Sequence, residues 1–252
     1  MNGPCAISRT FQLIAGVGPW RENDLWQHQI HTWDDFEAAL RIAPVLSAED
    51  DRQMMLAIET AREALARRDL MNLARLIPKR EWWRLCETFS ETSAFIDVEC
   101  DAAGEISILG VSDATGFRSY RADCDLENAA MQLQQRSLWI TFHGATFDVP
   151  KLQRIQGKPS PMVHVDLRFL TGRLGFRGGL KRIETEMGLN RPQHIQDVDG
   201  AGAISLWSMW HDDGDRHALE KLIEYNFYDV VHLRQILQLG IEHMCDRNGW
   251  RP

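Results

Sequence analysis

The chain has 252 residues, 44% hydrophobic and 25% charged, with a formal net charge of −8. This is the balance of an ordinary globular protein with a packed core, and it excludes a disordered or membrane-embedded chain. No apolar run approaches the roughly 18 residues that span a bilayer. Residues 1–9 lack the basic-then-apolar order of an export signal, so a cytoplasmic protein without membrane contact is expected.

The acidic balance is spread along the chain: residues 1–90 carry 11 Lys/Arg against 13 Asp/Glu, and residues 91–252 carry 17 against 23. Acidic side chains that ligate cations lose their charge only when the cations are bound. Cys5, Cys86, Cys100, Cys124 and Cys245 are scattered, with no C-x-x-C pair, and read as buried reduced thiols.

Residues 11–36 read as two short helices flanking a tight turn, Gly16-Val17-Gly18-Pro19. Glycine lets a backbone approach phosphate closely, and a helix starting there offers free N–H groups. The string resembles the G-x-G hairpin of helix-hairpin-helix modules, which bind nucleic-acid backbones without reading sequence, so Gly16 and Gly18 are candidate contacts. Trp26, Trp33 and Phe36 read as packing residues of a small helical core. Ser47 caps an acidic first turn, after which Met54, Met55, Ile58, Ala61 and Leu65 recur at helical spacing. Residues 69–77 form a second helix stopped by Pro78, and residues 81–89 a third. A polar joint at residues 90–93 sets the boundary: a helical N-terminal region over 1–90 and a second domain over 91–252.

Beyond the joint, residues 94–100, 105–112 and 116–121 are strand-like runs separated by Asp-Ala-Ala-Gly and Asp-Ala-Thr-Gly turns, which predicts an antiparallel meander. Residues 126–135 have helical periodicity, 138–142 form a short apolar strand, and 147–155 restart a helix after Gly144. The remainder reads as helical, closing with residues 216–239. A meander followed by alternating helices and strands indicates an α/β fold with a mixed sheet flanked by helices.

In Phe95-Ile96-Asp97-Val98-Glu99 the two-residue period of a strand sends both carboxylates to one face, roughly 7 Å apart. Acids crowded on a half-buried face repel unless hard cations such as Mg²⁺ or Mn²⁺ sit between them. Residues 139–150, with His143, Gly144, Phe147 and Asp148, make a strand, a glycine turn and a helix start with an acid on its first turn, where Asp148 also reads as an ordinary N-terminal helix acid. Tyr225 and Asp229 are four apart and share a helix face. Residues 151–182 hold Lys151, Arg154, Lys158, Arg168, Arg173, Arg177, Lys181 and Arg182 with Asp166 as the only acid, either a solvated basic face or one turned to phosphates.

Taken in this order, the three acidic segments resemble the exonuclease motifs of the DnaQ-like superfamily, which has the ribonuclease-H-like fold. They are similar to its DEDDy branch, because the position five residues before the last acid, where the histidine branch carries His, is Glu224. More narrowly the chain resembles the YprB-like family, through the G-x-G hairpin, Trp83-Arg84-Leu85, Asp166-Leu167, Gly179-Leu180-Lys181, Glu184, Arg191, Asp199-Gly200 and Trp207. It departs from that family at His143, where asparagine is commoner, and at Cys100 and Asp101, where a threonine-rich turn is common.

The resemblance implies two divalent cations, Mg²⁺ or Mn²⁺, about 4 Å apart. Asp97 is expected to bridge them, Glu99 and Asp229 to complete one shell, Asp148 to support the other through water, and Tyr225 to orient the attacking water. It implies a 3′ to 5′ exonuclease acting on single-stranded DNA or RNA. A structure-specific endonuclease and a non-catalytic nucleic-acid adaptor are the other readings. His143, Lys181 and Arg191 are candidate nucleic-acid contacts, and nothing points to a particular protein partner.

Overall fold

In a computed structural model, residues 5–157 and 163–249 are described. The chain forms two compact units: residues up to Ser90, joined by those from Ile241 on, and residues Glu91–Gly240.

Among the described residues the first unit has helices and turns and no strand. A 3-10 turn at Ala6–Arg9 precedes α1 (Pro19–Gln27), α2 (Trp33–Leu40), α3 (Ala48–Ala66) and α4 (Leu70–Leu76), and a second 3-10 segment follows at Lys79–Leu85. Local chemistry starts these helices: Pro19 at the first turn of α1, a Thr32/Asp35 capping box at α2, and the Ser47 and Asp69 side chains capping α3 and α4. Ile7, Phe11, Phe36, Met54, Ile58, Leu73 and Leu85 are fully enclosed, and Trp26 and Trp33 are buried with them.

This core also holds charge. The Glu22 carboxylate accepts from Thr10 Oγ1 (2.6 Å), the Phe11 N–H (2.9 Å), Gln12 Nε2 (2.7 Å) and Arg84 Nη2 (3.1 Å), while Arg84 Nε donates to Glu81 at 2.9 Å. The Arg84 guanidinium lies over the Trp83 and Trp26 rings, 4.9 and 5.7 Å from their centroids. The network accounts for two departures from the sequence reading. Glu22 draws the Phe11 N–H out of any helical ladder, so the flank before Gly16 is turn and not helix. The segment expected as a helix over 81–89 tightens to a 3-10 coil at Lys79–Leu85, which buries Glu81, Trp83, Arg84 and Leu85 together.

The second unit is built on a five-stranded sheet: β1 (Ser93–Cys100), β2 (Ile106–Asp113), β3 (Gly116–Arg121), β4 (Leu138–Thr141) and β5 (Val163–Asp166), in spatial order β3-β2-β1-β4-β5. The meander is antiparallel as expected, while β4 and β5 run parallel to β1. β5 has no counterpart in the sequence reading, because four residues with a histidine among them carry too little pattern and are a strand only through pairing with β4. Among the described residues seven helices complete the unit: α5 (Leu126–Leu133), α6 (Asp148–Gln156), α7 (Leu167–Leu174), α8 (Leu180–Glu186), α9 (Gln193–Gln196), α10 (Gly200–Asp213) and α11 (Arg216–Arg247), the last turns of which are grouped with the first unit.

Alternation along β1 separates two faces. Ala94, Ile96 and Val98 pack with Leu109 and Val111 against Ala129, Ala130 and Leu133 of α5 and Val149 and Leu152 of α6. On the other face Ile108 packs with Ile195, Val198, Ala203, Trp207, Leu219, Leu222 and Tyr225. Burial from both sides explains why every residue of β2 is enclosed while edge strand β3 is not. Among the described residues no helix is long and apolar enough to cross a membrane. All five cysteines are free, but only Cys86 is buried, and Cys124, in the turn before α5, is exposed.

Candidate functional site

Asp97 and Glu99 project from the β1 face opposite Ile96 and Val98, and that face is covered by α11. Two features let the helix approach. Asp97 pairs across the ladder with Gly110 of β2, and a Cβ at Gly110 would lie 2.0 Å from Asn226 Oδ1 and 2.7 Å from Val230 Cγ2. Asn226 fills the vacated space and donates from Nδ2 to Asp97 Oδ2 at 2.9 Å. One helical turn on, Asp229 joins the two strand acids: Asp97, Glu99 and Asp229 each present a carboxylate oxygen, all within 4.8 Å of one another.

Asp148 stands beside this group of three. β4 stops pairing with β1 at Phe95, which frees the Val98 N–H, and Asp148 Oδ1 accepts it at 3.0 Å. Its helix begins after a constrained turn. His143 sits in the left-handed region (φ 65°), which histidine tolerates better than most side chains, and Gly144 lies so close to Thr141 that a Cβ would come within 2.2 Å of Oγ1. Asp166, at the end of β5, accepts from the His143, Ala145 and Arg168 N–H groups at 2.8, 3.2 and 3.1 Å. The acids thus gather toward the carboxyl end of β1 and beyond that of β4, the side of the sheet where open α/β folds place ligands.

The electrostatics show strain between the acids. Burial, followed by the charge of Asp229, pushes the Glu99 carboxyl up to about 8. Burial lifts Asp148 to about 7 against the pull of its backbone hydrogen bonds. Burial raises Asp97 well above the carboxylate range, with Asp229, Glu99 and Asp148 adding to the effect in that order. Burial also raises Asp229, opposed by Arg191. Three converging carboxylates, with a fourth close by, suit a hard dication that takes oxygen ligands, and such a charge would relieve their repulsion.

Tyr225 is buried one turn before Asp229, its ring centroid 5.4 Å from Lys181 Nζ and 5.5 Å from the Arg191 guanidinium carbon. Burial, then Asp229, Glu99 and Asp97, raise its phenol, so the hydroxyl keeps its proton.

Residues 94–240 match the RNase_H_2 family of the RNase_H superfamily. The chain belongs to this family. No curated protein and no solved structure matches it. Membership accounts for the mixed sheet and points to a nuclease-type activity directed at nucleic acid, and such nucleases typically use divalent cations.

The remaining candidate residues of this RNase H-like domain are placed differently from one another. His143 is exposed, and Arg168 Nη1 donates to its Nε2 at 2.7 Å. Lys181 donates to the Gln196 and Val198 carbonyls. Arg191 is a buried ion-pair partner of Glu184 and Asp229 and not a surface cation. Within the basic stretch, Lys151 lies 4.9 Å over the Phe147 ring, Arg182 pairs with Glu186, and Lys158 falls outside the described residues. Gly16 (φ 85°) and Gly18, the N-cap of α1, belong to the first unit. Sequence reasoning missed Asn226 and Gly110. A glycine inside the apolar run Ile108-Leu109-Gly110-Val111 was the available signal, since it marks a close backbone approach.

Proposed function

We propose that this protein is a metal-dependent 3′ to 5′ exonuclease of the DnaQ-like DEDDy type, related to the YprB-like family, hydrolysing single-stranded DNA or RNA with two divalent cations, Mg²⁺ or Mn²⁺. One observation carries the reading: carboxylate oxygens of Asp97, Glu99 and Asp229, 132 positions apart in sequence at the extreme, lie within 4.8 Å of one another, with Tyr225 one turn from the last.

When bound, the cations would lower the pKa of the attacking water and neutralise charge developing on the leaving 3′ oxygen. In this reading Asp97, Glu99 and Asp229 would hold the cations between them, and Asp148 would add a further carboxylate beside them. Asn226 keeps Asp97 oriented through its hydrogen bond. Tyr225, protonated at neutral pH, acts as a hydrogen-bond donor that orients the nucleophile, not as a base. Phe147 and Phe169 are 45% and 66% exposed, Phe147 immediately precedes Asp148 with Lys151 over its ring, and Arg168 reaches His143 in the turn before it. Exposed aromatic rings with cations in the same segments favour a single strand whose bases can stack.

The test is digestion of end-labelled DNA and RNA strands of matched sequence, linear and circular, with Mg²⁺ or Mn²⁺, using Asp97→Asn and Asp229→Asn as controls. Stepwise shortening of linear strands from the 3′ end, lost in both variants, is expected. Cutting of the circle would turn the reading to an endonuclease. Intact substrate that the wild type binds normally would leave only a nucleic-acid adaptor.

A further inference from the structure

The ion pair behind Asp229 does more than fill the core. Arg191, in the loop between α8 and α9, engages both oxygens of Glu184, Nε on Oε2 at 2.7 Å and Nη2 on Oε1, and Nη2 also donates to Asp229 Oδ1. A two-point grip fixes the guanidinium plane, which a lysine ammonium cannot reproduce. Glu184 Oε1 in turn accepts from His232 Nδ1 at 3.0 Å, and His232 follows Asp229 by three residues on α11. The chain of contacts therefore starts and ends on the helix that carries the candidate ligand. Asp229, Arg191, Glu184 and His232 are only 5%, 7%, 2% and 5% exposed, so neither partner can swing aside without opening the core.

This arrangement commits Nε and Nη2 of Arg191 to carboxylates and leaves Nη1 buried, away from the surface. It also constrains Asp229. With Oδ1 engaged by a charge-assisted bond, one of its lone pairs is committed, and Oδ2 is the freer oxygen to offer a cation. Ca²⁺ favours six to eight oxygen ligands, often with a carboxylate bound through both oxygens, whereas Mg²⁺ demands a compact octahedron.

We propose that Arg191, braced by Glu184 and His232, is a positioning residue that restricts Asp229 to one-oxygen coordination and so selects small octahedral dications, Mg²⁺ or Mn²⁺, over Ca²⁺. The proposal rests on the acidic cluster being a cation site, as the proposed nuclease function requires. An arginine that only tied its loop to α11 would leave relative cation affinities untouched.

The experiment is calorimetric titration of the metal-free 252-residue chain with Mn²⁺ and, separately, with Ca²⁺, for wild type, Arg191→Lys and Arg191→Gln. The ratio of the two affinities is the quantity read. Removing the guanidinium charge changes the attraction for both dications alike, and Arg191→Lys keeps the charge while losing the fork. Outer contacts of this kind are worth roughly 10–100-fold in metal affinity. The Mn²⁺-over-Ca²⁺ preference is expected to fall about tenfold in both variants. Glu184→Gln, which weakens the brace but leaves Arg191 in place, should shift the ratio in the same direction by less, and it decides the matter if the Arg191 variants do not fold. A ratio unchanged in the folded variants, with wild type binding Mn²⁺, overturns the brace and spares the nuclease reading. Wild type that binds neither cation overturns both.

Discussion

Gly110→Ala tests whether the close approach of α11 to β1 assembles the acidic cluster. The added methyl would sit 2.0 Å from Asn226 Oδ1 and 2.7 Å from Val230 Cγ2, against an ordinary contact of 3.4 Å or more. Asn226 would have to retreat by about 1.4 Å, in a core that is close-packed and where it is fully buried. Overpacking of this size costs about 1–3 kcal/mol. If Asn226 rotates away instead, its bond to the Asp97 carboxylate is lost, adding roughly 1.5–3 kcal/mol. Urea unfolding of the metal-free protein reads the stability, and Mn²⁺ titration reads the cluster; both are expected to weaken. The double variant Gly110→Ala/Asn226→Ala should recover part of the stability loss, with a coupling of about 1 kcal/mol, since the tightest collision disappears. A Gly110→Ala protein within about 0.5 kcal/mol of wild type that binds Mn²⁺ equally would refute the reasoning.

Further expectations follow from the same geometry. Glu99 and Asp148 carry folded-state pKa values of about 8 and about 7, above the unfolded carboxylate range of about 4. Between those limits the native protein holds protons that the unfolded chain has released, so their contribution to stability falls as pH rises. Melting curves in chelator should therefore show wild type losing stability relative to Glu99→Gln from about pH 5 to about pH 8, with Mn²⁺ reversing the trend; parallel curves would contradict it. Phe147→Ala, at an exposed position, should leave the fold intact and weaken binding of a single-stranded oligonucleotide to cleavage-deficient Asp97→Asn protein by about 1–3 kcal/mol, measured by fluorescence anisotropy. Glu22→Ala removes the carboxylate that pairs with buried Arg84 and accepts from three further groups, and a loss of about 3–5 kcal/mol in the first unit is expected, followed by proteolysis rates under native conditions.

Much of the fold was legible because its signals are local. The turns around Gly104 and Gly116 announced the meander, and Ser47 and Asp69 announced the starts of α3 and α4. The flank before Gly16 and the segment after Pro78 were misread because a buried carboxylate network claims their backbone and side chains, and Glu22 and Arg84 are 62 positions apart. Arg191 read as a candidate nucleic-acid contact and not as a buried ion-pair partner because its two carboxylates, Glu184 and Asp229, come from different helices.

By itself the sequence determined which side of each element a candidate side chain would take: the strand period puts Asp97 with Glu99, and the helix period puts Tyr225 with Asp229. Those periods belong to the backbone and hold wherever the element ends up. Only the tertiary structure decided that the two faces meet, that Gly110 leaves room for Asn226 between them, that Asp148 reaches the Val98 N–H where β4 ends, and that Arg191 occupies one oxygen of Asp229. Distances between separate elements depend on packing volume and on which buried polar groups find partners, and neither is written in the spacing of residues along a chain.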